Sequence, residues 1–292
     1  MTGKIWIWLC ISGFLWAGCS DGTGDVLPEA PVLETAVAFA GLEDVHIGKS
    51  LVFFFRKSEN SDTLVYQTEI DGPSEDFARY KFNVPAGYYQ MVLLGNGDSA
   101  HIRFTDGVRS LQNTVIEYDG GVEPPELYMA TSVIKAGEQQ AAGAGMFPLT
   151  VRVALTVRNV PAGVDQIDVD LENTSAGVTF GRQILDRVTS PGIIQSVYDV
   201  IPGSSPVVRF SSFPSVEKAG ESKLLVRCYD VNGIILFRGE SASFSMKGTE
   251  SVSVACSFDT AAPAMTAGTK PGKEMVLPFI RMESVTNEKD GK

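Results

Sequence analysis

Tryptophan, histidine and cysteine are all scarce. Trp6, Trp8 and Trp16 are the only three tryptophans, His46 and His101 the only two histidines, and the four cysteines are Cys10, Cys19, Cys228 and Cys256. Two His leave little scope for a His-rich metal site, and four Cys are too few for a disulfide scaffold. Basic residues are in deficit: 24 Lys and Arg against 35 Asp and Glu give a net charge of −11 and a pI near 4.7. The clustered positive surface that neutralises phosphates is therefore missing, which argues against a nucleic-acid partner. Also absent are a Gly-x-Ser-x-Gly elbow, a Walker A loop, a His-Glu-x-x-His pair and a Cys-x-x-Cys pair, so no cofactor or catalytic constellation is implied and the chain reads as a non-enzyme. What it does hold is 44% apolar residues with 29 Gly and 15 Pro in 292 positions. That is enough for a packed core, and the length suits about two domains.

The N-terminus carries an address. Lys4 precedes an apolar run from Ile5 to Ala17, followed by Gly18-Cys19 and the polar Ser20-Asp21-Gly22-Thr23-Gly24-Asp25. Charge, short greasy segment and small residues in that order are a secretory signal, too short for a comfortable permanent span. Ala17-Gly18-Cys19 resembles a bacterial lipoprotein lipobox, with Leu15 one place earlier than usual. The resemblance implies cleavage of residues 1–18 and acylation of Cys19. Acyl chains at roughly 0.8 kcal/mol per buried CH₂ anchor a protein without a transmembrane helix. Residues 19–36 then read as a lipidated tether, and Cys10 leaves with the signal.

The body reads as strands. Runs of Val, Ile, Phe and Tyr recur between Gly, Pro, Asn and Asp, with no sustained 3.6-residue period, which is an all-β sandwich signature. The clearest are 50–56 (SLVFFFR), 63–70, 79–84, 88–94 and 114–117. A small, polar stretch at 136–145 (AGEQQAAGAG) marks a seam between domains spanning 37–145 and 146–292. Beyond it, 149–157 (LTVRVALTV) and 165–171 (DQIDVDL) alternate cleanly. Residues 224–238 give a strand, Val231-Asn232-Gly233 and a strand, a strong hairpin signal. Strands at 251–258 and 275–281 complete the set. Val84-Pro85-Ala86-Gly87 fits a type I turn. Asn83-Val84-Pro85-Ala86-Gly87-x-x-Gln90 recurs as Asn159-Val160-Pro161-Ala162-Gly163-x-x-Gln166, consistent either with two related domains or with one turn used twice.

Polar groups that could carry chemistry each have a plainer reading. Asp98, His101 and Asp106 share a Gly-bounded loop and strand without ligand spacing, and read as solvated. His46 stands alone. Asp168, Asp170 and Glu172 fall on one strand face; they could bind a cation, but acids on the wet face of an antiparallel strand are ordinary. Cys228 and Cys256 sit on apolar faces, either as a disulfide or as buried free thiols.

Several of these pieces resemble the fimbrillin-type lipoproteins of Bacteroidetes, above all the anchor subunits of their fimbriae. They are the lipobox Cys19, the aromatic strand 50–56, Val84-Pro85-Ala86-Gly87-Tyr88 into a strand ending Leu94-Gly95-Asn96, Glu126-Leu127-Tyr128-Met129, the strand at 149–158, and the run 228–235 (CYDVNGII). The resemblance implies two tandem transthyretin-like β-sandwich domains after a lipoprotein signal peptide. It also implies an outer-membrane, surface-exposed lipoprotein carrying acyl chains such as palmitate on Cys19, whose partners are fimbrial subunits joined by strand complementation. In that family stalk subunits are cut after Arg or Lys and shed their first strand, whereas anchors keep it. Residues 20–48 contain no Lys or Arg, and Lys49 is the first basic residue after Cys19, which favours an anchor. The alternatives are a stalk or tip subunit that donates 275–282, where Pro278 suits an edge strand, and a surface glycan-binding lipoprotein. The loss of all three Trp with the signal counts against the last.

Overall fold

In the computed structural model the described residues are 32–39, 47–57, 62–71, 79–105, 109–138, 140–142, 146–190, 192–216, 221–247, 251–258, 268–270, 274–276 and 280–285. The signal peptide, Cys19, His46, Asp106 and Pro278 lie outside them.

The chain is all-β. Its first strands are β1 (Val32–Phe39), β2 (Lys49–Arg56), β3 (Thr63–Asp71), β4 (Arg79–Pro85), β5 (Tyr88–Gly95), β6 (Ile102–Phe104), β7 (Thr114–Glu117), β8 (Tyr128–Lys135), β9 (Gln140–Ala142) and β10 (Phe147–Pro148). A five-stranded antiparallel sheet runs β10-β8-β5-β2-β3, and a smaller one runs β4-β1-β9. Strand β2 shows why the larger sheet is central. Its sequence KSLVFFFR is apolar on both faces, the mark of a fully buried strand. Val52 and Phe54 enter one core with Phe82, Val84 and Tyr89, whereas Leu51, Phe53 and Phe55 enter another with Ile116 and Phe180. The sheet is therefore covered on both sides.

The remaining strands are β11 (Val151–Val157), β12 (Gln166–Glu172), β13 (Gly177–Thr179), β14 (Ile193–Val197), β15 (Val207–Ser212), β16 (Lys223–Tyr229), β17 (Ile235–Glu240), β18 (Ser251–Ser257), β19 (Gly268–Lys270), β20 (Glu274–Val276), β21 (Ile280–Arg281) and β22 (Glu283–Ser284). Two sheets, β15-β11-β18-β20-β19 with β21 also on β18, and β14-β12-β16-β17-β22, face each other. The alternation read from the sequence sets their core: Val151, Val153, Leu155 and Val157 pack against Ile167, Val169, Leu171, Leu224 and Val226. At about 25 cal/mol per Å² of apolar surface, each such side chain contributes roughly 1.5–3 kcal/mol on burial.

The halves on either side of the expected seam share a sheet. Strand β13 pairs with β7, Val178 opposite Ile116, in the order β13-β7-β6, and Val178, Phe180 and Phe213 join the core beneath β2. The small, polar stretch at 136–145 is partly strand: β9 pairs in parallel with β1.

Four local expectations differ from the structure. Strand β1 begins at Val32, inside the segment read as tether; Leu33 and Thr35 face inward and Val32 and Glu34 outward, a short alternation hidden in Pro, Glu and Ala composition. Residues 86–87 make an open bend, because β4 and β5 belong to different sheets and the chain must cross between them. The Asn-Gly hairpin closes with three residues: Gly233 N–H donates to Asp230 O (3.0 Å) and Asp230 N–H to Ile234 O (2.9 Å), with Gly233 at φ 76°. That is a type I turn with a following left-handed glycine. The strand expected at 275–281 is two short ones, β20 and β21, both parallel to β18.

The repeated motif sits at equivalent crossings. Residues 83–90 join β4 to β5 and residues 159–166 join β11 to β12, each time from one sheet to its facing sheet. Val84 and Val160 are both buried. The backbones are not copies, since Asn159 is left-handed at φ 51° whereas Asn83 lies within β4.

Candidate functional site: exchangeable strand edges

The feature with the right form for a partner is the β4-β1-β9 sheet. Strand β1 is its middle member, antiparallel to β4 from Val32 opposite Pro85 to Ala38 opposite Arg79 and parallel to β9 from Val37 opposite Gln140. Withdrawing it would open a groove with unpaired backbone on both walls and the Phe82 and Val84 core as its floor. Such a groove accepts an extended segment through main-chain hydrogen bonds and alternate side-chain pockets. Three contacts seat β1. Leu33 packs on the core, the fully buried Thr35 hydroxyl accepts from Gly137 N–H at 3.0 Å, and Lys81 Nζ lies 2.9 Å from Glu34 Oε1. Gly137 is required there: it holds φ 84°, and a Cβ would meet Leu33 Cδ1 at 3.0 Å. The sequence signal that could have found β1 was the inward pair Leu33 and Thr35.

The first basic residues after Cys19 are held in paired backbone. Lys49 opens β2 opposite Asp71 and its Nζ meets Glu69 Oε1 at 2.8 Å. Arg56 closes β2, donating from Nη2 to Tyr89 Oη at 3.3 Å, while Tyr89 Oη donates to Pro85 O at 2.5 Å. Proteases need chain that is locally free of such pairing.

The C-terminal segment is built into its own sandwich. Ile280 is fully buried and Met282 is buried beside it, and β22 pairs with β17 through Arg238 opposite Glu283. Gly239 permits the crossing, because a Cβ there would stand 2.6 Å from Met282 Sδ and 2.8 Å from Arg281 O.

The polar residues weighed in the sequence have structural work. Asp98 caps a 3₁₀ turn, Ser99–His101, accepting from Ala100 N–H at 2.9 Å. His101 stacks on Tyr118 with centroids 3.9 Å apart, and burial, then the Asp98 charge, pushes the Tyr118 hydroxyl up to about 12. Asp168, Asp170 and Glu172 are not a uniform wet face: Asp170 is 9% exposed, ion-paired with Arg227 at 3.2 Å, and Asp168 accepts from Gln166 and Ser196 at 2.7 Å each. Burial is the largest cause raising the Asp170 carboxyl above its usual range. No metal-competent cluster occurs among the described residues. Cys228 and Cys256 are free and buried; burial pushes the Cys228 thiol up to about 12 and raises that of Cys256 well above its ordinary value.

Residues far apart in the sequence meet in space. Arg152 Nη2 of β11 lies 2.7 Å from Glu126 Oε2 and donates to Tyr128 Oη at 2.6 Å, while Leu127 N–H donates to Thr150 Oγ1 at 3.0 Å. Asn96, left-handed at φ 58°, accepts from Gly48 N–H and donates to Glu126 O, both at 3.0 Å. Glu123 spans the same junction, accepting from Ser211 N–H at 2.7 Å and Gln195 Nε2 at 2.6 Å.

No protein-family model and no curated sequence matches the chain. Solved structures do. A Bacteroides eggerthii protein assigned to cell adhesion superposes with a TM-score of 0.54 at 15% identity, over 88% of this chain and 95% of that one. A Bacteroides ovatus protein assigned as an adhesin gives 0.51 at 14%, over 78% and 87%. The fimbrial anchor protein Mfa2 from Porphyromonas gingivalis gives 0.48 at 17%, over 71% and 81%. The first two establish the fold as the β-sandwich architecture of Bacteroidetes adhesion proteins.

Proposed function

We propose that this protein is a non-enzymatic surface lipoprotein of two sandwich domains, the first opening with β1 at Val32, that anchors a fimbrium to the outer membrane. Cys19 carries the lipid, and fimbrial subunits are its partners through strand complementation. The observation that carries this reading is the seating of β1 between β4 and β9 in a chain with no Lys or Arg from 20 to 48. A first strand that is held on both sides and has no basic processing site stays attached to the lipidated N-terminus. The adhesion and fimbrial assignments of the structural neighbours support the same cell-surface setting. Donation of the C-terminal strand, as a stalk or tip subunit would require, is disfavoured by the burial of Ile280 and Met282 in the chain's own core.

Replacing Cys19 with Ser in the producing cell tests the role. An anchor predicts that the protein and its fimbriae leave the membrane fraction together and appear in the medium at normal fibre length. Fimbriae that stay membrane-bound in the Cys19→Ser strain contradict it.

A further inference from the structure

The outer face of the β14-β12-β16-β17-β22 sheet holds a cleft of about 620 Å³, within the range of small-molecule sites. It shares no lining residue with β1, β4 or β9. Leu225 and Gly239 help form its walls, and three arginines line it: Arg227 of β16, Arg238 of β17 and Arg281 of β21. Arg227 and Arg238 are direct cross-strand partners, an arrangement of like charges that is unfavourable by itself. Arg227 is anchored by Asp170 on one side, yet its Nε is buried without an acceptor among the described residues. Oδ1 of Asp170, in the same ion pair, is likewise buried without a donor among the described residues, so this pair leaves both a donor and an acceptor unused. Arg238 and Arg281 make no ion pair among the described residues. In a chain with 11 more acidic than basic charges, three arginines gathered in one cleft are a concentrated exception.

The cleft also carries two carboxylates. Glu240 is taken up by Lys223 at 2.8 Å, while Glu283 stands opposite Arg238 in the strand register. Planar guanidinium forks suit a carboxylate, and a neighbouring carboxylate can only accept, which suits a donor hydroxyl. Acid group and hydroxyls on one small molecule describe a sugar acid. The absence of tryptophan from the mature chain removes stacking platforms but not this ionic mode of recognition.

We propose that Arg227, Arg238 and Arg281 form a binding site for an acidic saccharide, the guanidinium groups holding its carboxylate and Glu283 accepting from its hydroxyls. The C-terminal crossing over Gly239 completes the site by delivering Arg281.

Calorimetric titration of the full chain with D-glucuronate tests this, with glucose and inorganic sulfate as competitors and Arg238→Ala, Arg281→Ala and Glu283→Gln as variants. The arginine variants sit at exposed positions, so retention of the wild-type thermal transition separates binding from folding. Saturable glucuronate binding is expected, weakened about tenfold or more by each arginine change, since a charge-assisted hydrogen bond contributes roughly 1.5–3 kcal/mol. Glu283→Gln should weaken glucuronate and leave sulfate unaffected. Absence of saturable glucuronate binding, variants that bind as wild type, or sulfate that competes as well as glucuronate would each overturn the proposal.

Discussion

Gly177 of β13 packs so closely on Ile116 of β7 that a Cβ at position 177 would stand 2.0 Å from the Ile116 carbonyl oxygen. That approach lets a strand from beyond the expected seam complete a sheet begun before it, and it places Val178 and Phe180 under Phe53 and Phe55. Phe180 meets the Phe53 ring edge-on at 5.0 Å. The junction is reinforced by Arg187, whose Nη2 lies 2.7 Å from Glu117 Oε1, and by the Arg182 guanidinium 3.7 Å above the Phe147 ring.

Substituting Gly177 with Ala should therefore separate β13 from β7 and disturb the core beneath β2. Forced overpacking of this kind costs roughly 1–3 kcal/mol. Urea denaturation should show that loss, and a second transition should emerge as the halves lose their shared sheet.

The seating of β1 depends on Thr35 accepting from Gly137 N–H. Thr35→Val keeps the shape and leaves that donor unpaired, for a cost of about 1–3 kcal/mol. The expected outcome is faster amide exchange along β1 and β4 than in β5, read by hydrogen–deuterium exchange; uniform exchange in the two regions would contradict it.

At the β16–β17 hairpin the Asp230 carboxylate accepts from Asn232 N–H at 2.9 Å and Ile234 N–H at 2.8 Å, and these bonds, that from Ile234 first, hold its pKa below the usual carboxylate range. A depressed folded pKa gives stabilisation that is present above the unfolded value of about 3.9 and fades as pH falls through the lower folded value. An NMR titration should find Asp230 ionising below the exposed carboxylates, and Asp230→Ala should accelerate exchange of the Ile234 amide at neutral pH.

Cys228 and Cys256 belong to the same core between facing sheets, fully buried and with raised thiol pKa values. Because the thiolate is the reactive form, neither should react with maleimide in the native protein, and both should react once urea unfolds it. The native mass should show two free thiols in the body.

Much of this architecture was legible in the residues themselves. The alternation of 149–157 and 165–171 assigned the facing cores because a half-buried strand must place every second side chain inward. The run at 50–56 announced a strand, and its apolar residues on both faces mark two-sided burial, but not what covers each face, which comes from Phe82 and Val84 on one side and from Phe180 and Phe213, more than 120 positions away in sequence, on the other. Strand β1 is hidden in the sequence because its pairing partners β4 and β9 are distant and its own composition resembles a linker. The arginine cleft was invisible for a similar reason: Arg227, Arg238 and Arg281 are brought together only by strand register and by the crossing of the tail over Gly239.

The measurement that bears most directly on the anchor is the intact mass of the protein extracted from native membranes and from assembled fibres. A chain beginning at acylated Cys19, with residues 20–48 and β1 present in both fractions, is the predicted result. A fibre-associated chain trimmed at Lys49 or Arg56, without lipid, would contradict the account and make the protein a polymerising stalk subunit.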